Sequence, residues 1–538
     1  MKIFLAILLF GIFLRVTLLG EYPSGLFRDE AALGYNAYSI FKTGSDEYGV
    51  SLPLVFRSFE VFFLPAYSYL LTPIVGIFGL NEFNTRILSA ISGTAALILI
   101  YLIAFEIWRE RIISLIAMFV LTISPWHIFY SRGAFEGTLA LSIFSAGLLF
   151  WLKFLRQEKI KFFFLSILFF ALSMYCYQSE RLVVLLFGII ALIFSFKKLL
   201  PNYKKLILPI FVVFILLLPL LSLTFQAGGY HRALGVSIFS DERTPPDILN
   251  NNKEPIIKSD VYLRLRQVSA LYLSYFSPRN LFLSGDSDKQ RSVEKFSVFY
   301  SFFLPFLFIG VIAARKKSLE VKLLLAWVTL APIPAALTTD PFHTYRSLML
   351  YFPLSILIGF GIFKALEYFK YARFFTSVIL FLSIINLSLF LYSYLALTPA
   401  VRAPFWDYGY KEIVTFINNQ KDYNEVRVDD PTSEAYIHFL FFTPVNPILY
   451  QAEVKKNKDP KPYYYTSADN IRPPGFGKFV FRDVDWPKER GDINTIFVMK
   501  AERLPASEFE TDPKIELLKE IRYPDNTIAF RIVRIKKP

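Results

Sequence analysis

Long apolar blocks recur along most of this chain, and they exclude a soluble fold before any motif is read. A helix needs about 20 consecutive, mainly apolar residues to cross a bilayer. Blocks of that kind occupy residues 2–20, 85–107, 112–130, 134–152, 162–178, 182–196, 206–226, 297–314, 319–338, 347–364 and 374–396. Composition agrees, because only 19% of the 538 residues are charged, against about 25% in a soluble domain.

A twelfth block, residues 61–80 (VFFLPAYSYLLTPIVGIFGL), is also long enough to span, but Pro65 and Pro73 interrupt its helix pattern. Counting it would place five basic loops on the outer side. An interfacial or re-entrant segment is expected instead, which leaves eleven spans.

The net charge of +14 first suggests nucleic acid. Many of the Lys and Arg residues, however, lie in short loops between apolar blocks, such as Lys153, Arg156, Lys159 and Lys161, or Lys197, Lys198, Lys204 and Lys205. Cytoplasmic loops carry such an excess, so the charge reads as topology and no nucleic-acid partner is expected. The N-terminus is then cytoplasmic and residues 397–538 extracytoplasmic, in a bacterial-type plasma membrane. Block 2–20 lacks a small-x-small cleavage site before Glu21 and reads as a retained span.

Beyond residue 396 the pattern changes. Short alternating runs (EVRVDD, NTIFVMKAE, TIAFRIVRI) separated by Pro, Asp, Asn and Gly signal strands and turns. The expected architecture is a polytopic α-helical membrane domain, residues 1–396, followed by a small extracytoplasmic α/β domain, residues 397–538. Outer loops at 21–84 and 227–296 belong to the first.

The lone Cys176 and four scattered histidines give no metal-ligand spacing, so no cofactor is expected. The costly groups sit in outer loops instead. Asp29 and Glu30 precede an amphipathic stretch, where a carboxylate beside an apolar cavity suits general base catalysis; acidic groups also favour a helix start. Arg132, Arg181 and the pair His343 and Arg346 lie near span ends. Arginine's fork matches phosphate oxygens, although interfacial arginines also anchor spans to lipid.

In their order and sidedness, the stretches RDEAALGYNAYSIFKTGSDEYG, LPAYSYLLTPIVGIFGLNEFNTRILSAISGT, SPWHIFYSRGAFEG, YFSPRNLFLSGD, DPFHTYRSLMLYFPLSILIGFG and WDYGYKEIVTFI resemble bacterial protein O-mannosyltransferases and aminoarabinose transferases. These are the family-39 membrane glycosyltransferases of the GT-C fold. The resemblance implies transfer of a sugar from a polyprenyl-phosphate donor to an acceptor hydroxyl on a protein, lipid or glycan, with inversion. It maps the general base onto Asp29, with Glu30 helping to place the acceptor, and Arg132 onto a donor-phosphate ligand. His343 and Arg346 fall in a loop facing the same cavity, and Arg181 joins them as a further phosphate contact. Relatives often carry an acidic residue and a lysine just before LPxYSYL; Glu60 is retained nearby, while Val61, Phe62 and Phe63 stand where the lysine is expected.

Two other readings are open to the sequence. Phe405-Trp406-Asp407-Tyr408-Gly409 partly matches the WWDYG-type motif of oligosaccharyltransferases. A non-catalytic polyprenyl-lipid binding or transport protein is the other.

Overall fold

The computed structural model describes residues 1–59, 61–224, 260–315, 318–421, 423–432, 434–456 and 473–536. Each of the eleven apolar blocks is helical over most of its described length. Among the described residues six helical stretches are long and apolar enough to cross a membrane: Glu82–Trp108, Glu136–Gln157, Gln178–Leu223, Leu319–Ala336, Leu348–Tyr368 and Ala372–Trp406. The block at 61–80 forms a short strand, Val61–Phe63, and then a helix, Ala66–Phe78, with Pro73 inside it. Thirteen helical residues rise about 20 Å, short of the roughly 30 Å hydrocarbon core.

The chain divides into two compact units. The first comprises Met1–Thr17 and Ser89–Ser393. Its centre is the helix Leu348–Tyr368, buried along almost its whole length and packed on Arg111–Ile123 and Leu304–Ala313. Small residues permit that approach: a Cβ at Gly310 or Gly361 would run into the facing backbone carbonyl of Leu357 or Phe306. Gln178–Leu199 and Ala372–Tyr392 instead expose Ile189, Ile193, Phe381 and Ile384, as helices facing lipid do. This is an integral membrane fold.

The second unit comprises Leu18–Leu88 and Tyr394–Pro538, so the segment 21–84 groups with the C-terminal region. Its helix Arg28–Thr43 lies against Ala66–Phe78 and Tyr436–Phe442. A two-stranded hairpin pairs β1 (Phe56–Ser58) with β2 (Val61–Phe63). Six further strands form one mixed sheet: β3 (Glu425–Asp429), β4 (Gly475–Phe476), β5 (Phe479–Arg482), β6 (Thr495–Lys500), β7 (Ile515–Arg522) and β8 (Ile528–Ile535), in the order β4-β5-β3-β6-β8-β7. β3 is parallel to both β5 and β6, while β8 is antiparallel to β6 and β7. One face closes on Trp486, Phe497, Met499 and Val533, and on the helix Tyr436–Phe442 Phe439 meets Phe479 and Phe481. Covered on both faces, β6 is buried at every residue but its last.

Candidate functional site

Asp29 and Glu30 lie within the first turn of the helix Arg28–Thr43, whose amide ends favour negative charge. Successive helical residues point about 100° apart, so the two carboxylates serve different surroundings. Glu30 turns inward and is 2% exposed. Its Oε1 accepts from Arg86 Nε at 2.9 Å and its Oε2 from Arg86 Nη2 at 2.8 Å, while Phe27 N donates to Oε2 at 3.2 Å. Arg86 also donates to the carbonyls of Leu19, Pro23 and Gly25. One guanidinium thus ties Glu30 to the loop that leads into the helix. In that loop Gly25 has φ +95°, and a Cβ there would strike the carbonyl of Trp406.

Arg28, on the other side of Asp29, is held as firmly. Its backbone N and its Nε both donate to Asp407 Oδ2, at 3.0 and 3.1 Å, and its Nη2 to Oδ1 at 3.2 Å; Nη1 pairs with Glu434. Burial works to raise the Asp407 pKa, but His438, with Nε2 3.6 Å away, and Arg28 together hold it below the ordinary value. Asp29 stands half-buried between these two anchored neighbours. Glu60 lies outside the described residues.

The phosphate-binding candidates all belong to the first unit. Arg132 is buried in the turn after the short helix Pro125–Tyr130, and its Nη1 donates to the carbonyl of Leu14 at 2.9 Å. Arg181 sits half-buried in the first turn of Gln178–Leu199. His343 and Arg346 share one loop: Arg346 N donates to His343 Nδ1 at 3.2 Å, and Arg346 Nη1 to Asp340 at 2.8 Å. Burial first, then the charges of Arg346 and Arg291, push the His343 pKa well below its ordinary value. A neutral ring accepting at Nδ1 carries its proton on Nε2, where it is a hydrogen-bond donor.

Three of these loops meet at one ring. Tyr345, between His343 and Arg346, stacks on Tyr130 at 5.4 Å, touches Phe135 at 5.2 Å and meets Tyr177 at 4.7 Å. Its hydroxyl donates to Glu136 at 2.9 Å and accepts from Gly137 N. Tyr130 and Thr344 share a 2.6 Å hydroxyl contact, and Thr344 is held by the buried Asp286. The segments carrying Arg132, Arg181 and the His343–Arg346 pair are therefore packed together through aromatic rings.

Sequence reasoning passed over Arg15 and Arg86, and read Asp407 only as part of a motif. Arg15 is fully buried, with Nη1 on the Gly11 carbonyl and Nη2 2.6 Å from His127 Nδ1. The signal was there, since a lone arginine within an apolar block (GIFLRVTLLG) is expensive in a membrane unless it has work. The partners of Arg86 and Asp407 gave no local signal, because they lie 56 and 379 residues away. Among the described residues no three His, Cys, Asp or Glu side chains are grouped to hold a metal ion.

Over 98% of this chain and 97% of the other, the structure is similar to ArnT from Cupriavidus metallidurans bound to undecaprenyl phosphate, with TM-score 0.51 and 12% identity. The fold is that of the GT-C glycosyltransferases. The apo state of the same ArnT matches this GT-C chain equally, at TM-score 0.51 and 13% identity over 98% of this chain and 96% of that one. An oligosaccharyltransferase from Archaeoglobus fulgidus scores lower, at TM-score 0.49 and 13% identity over 94% and 70% of the two chains. Residues 64–222 match the family model described as dolichyl-phosphate-mannose-protein mannosyltransferase. No curated protein matches the sequence significantly. The family match and the fold bear out the resemblance read from the sequence.

Proposed function

We propose that this GT-C protein transfers a sugar from a polyprenyl-phosphate donor to an acceptor hydroxyl on the extracytoplasmic face of a bacterial-type plasma membrane. Asp29 takes the proton as the acceptor oxygen attacks the anomeric carbon. The bond from that carbon to the phosphate oxygen breaks on the opposite side, so the configuration inverts and polyprenyl phosphate leaves. The observation that carries this reading is that the residues on either side of Asp29 are fixed, Arg28 on Asp407 and Glu30 on Arg86. General base catalysis by a positioned carboxylate contributes about 10²–10⁴-fold.

The leaving phosphate gains charge as the bond breaks, and preorganised donors aimed at that charge stabilise it. Arg132, Arg181, Arg346 and the Nε2 proton of His343 are assigned that task, with the rings around Tyr345 fixing their loops. Glu30 acts as a positioning residue on this account. Glu60 is assigned with Asp29 and Glu30 to the catalytic group, on the side of the donor phosphate. Eleven spans, a cytoplasmic N-terminus and an extracytoplasmic region 397–538 complete the reading. The family match over residues 64–222 and the fold shared with ArnT support it.

Purified protein incubated with a panel of radiolabelled polyprenyl-phosphate sugars and a membrane-extract acceptor tests the class. Label transferred from at least one donor is expected. Absence of transfer from every donor, by protein shown to be folded, contradicts the proposal.

A further inference from the structure

The second unit contains a cavity of about 410 Å³, within the roughly 300–1,000 Å³ range of small-molecule sites; the Arg28–Asp407 pair forms part of its wall, and no step of the transfer is assigned to it. Its floor lies at the C-terminal ends of β3 and β6, where Asp429 and Lys500 close the two strands and residues 430–432 and 501–502 follow. These strands are parallel neighbours. The chain leaves β3 towards β5 on one side and leaves β6 towards β7 and β8 on the other. Ligands of open sheets bind in the crevice outside such a switch point.

The lining is polar and incompletely satisfied. Asp429 and His438 are 3% and 1% exposed, yet Asp429 Oδ2 and His438 Nδ1 have no hydrogen-bond partner among the described residues. Buried polar atoms of that kind are rare without a ligand or water to meet them. At the rim the half-exposed rings of Tyr408 and Tyr523 stand 6.2 Å apart, inclined at 44°. They offer π-faces to C–H groups.

Charge narrows the ligand. The lining carboxylates Asp407, Asp429, Asp430, Glu434 and Glu502 outnumber the lining cations Arg28 and Lys500, and Arg503 on Asp429 still leaves negative charge in excess. A phosphate or uronate would be repelled. A strongly cationic peptide is disfavoured too, because Asp407 and Glu434 already hold Arg28 and Asp429 holds Arg503. What remains is a ligand rich in hydroxyl donors with apolar C–H faces. We propose that this cavity binds a saccharide that is uncharged or carries an amine. Naming that saccharide as the acceptor rests on the transferase reading above; its binding does not.

The test uses the full chain in lipid nanodiscs free of sugar-based detergent, with saturation-transfer NMR and titration calorimetry. The probes are chitobiose, its deacetylated diamine, digalacturonic acid and trilysine. Chitobiose or the diamine is expected to bind, and Tyr523→Ala and Glu502→Gln are each expected to weaken that binding at least tenfold without moving the melting temperature. Both positions lie at the surface, so neither change threatens the fold. The proposal is overturned if neither disaccharide binds, if digalacturonic acid or trilysine binds more tightly than both, or if both substitutions leave affinity unchanged. Saccharide binding by protein that transfers no sugar keeps this site and removes only the transferase reading.

Discussion

Arg86 grips both carboxylate oxygens of Glu30, at 2.9 and 2.8 Å, and the two side chains are 0% and 3% exposed. Breaking a buried pair by removing one partner costs about 3–5 kcal/mol, because the other charge is left uncompensated. Arg86→Met is therefore expected to lower stability by about that amount. Glu30→Gln, which keeps the shape and some of the hydrogen bonds, should lower it less. Thermal denaturation in a fixed detergent checks both, and an Arg86→Met melting point equal to wild type contradicts the assignment.

Arg132→Ala is expected to weaken donor binding more than the chemical step. A hydrogen bond to a charged group contributes about 1.5–3 kcal/mol, so the affinity for a polyprenyl-phosphate sugar should fall at least about tenfold. Equilibrium binding to the purified variant reads this directly, and unchanged affinity removes Arg132 from the phosphate site.

Tyr345→Ala removes the ring on which Tyr130, Phe135 and Tyr177 pack. If that ring fixes the loops of Arg132 and Arg181, the variant should lose donor affinity although Tyr345 is not proposed to touch the phosphate. Tyr345→Phe, which retains the stacking and loses only the bond to Glu136, should recover most of it. Equal loss in both variants would assign the effect to the hydroxyl.

Acid should loosen the second unit. Hydrogen bonds from Arg482, opposed by burial and aided by Arg427, hold the Glu489 pKa down at about 2, and Asp407 is also held low. A carboxylate whose folded value is depressed stabilises the fold fully above its unfolded value, about 4.3 for Glu and 3.9 for Asp, and loses that contribution as pH falls through the folded value. Melting temperature should be flat above about pH 5 and fall progressively below it. In Glu489→Gln the melting temperature at pH 6 should be lower and the acid slope shallower.

The helices were legible in the sequence because hydropathy is a local property. Each of the eleven apolar blocks is helix over most of its described residues, and the two prolines that argued against a full span at 61–80 sit just before and within a 13-residue helix. The strands β3, β6 and β8 followed from alternation in EVRVDD, TIFVMK and IAFRIVRI. β7 did not, since IELLKEIR is rich in helix formers and is a strand because it pairs with β8 at the sheet edge. The carboxylates at 29 and 30 were visible as a pair, but what separates their roles was not. Their surroundings are set by Arg86, which grips Glu30, and by Asp407, which holds Arg28 beside Asp29, and both come into place only through the folded chain.

Single-turnover transfer by wild type and Asp29→Asn, measured side by side with donor affinity, tests the central claim most directly. If Asp29 is the base, the rate of transfer falls about 10²–10⁴-fold while donor binding and melting temperature stay at wild-type values. Transfer by Asp29→Asn at the wild-type rate would contradict it.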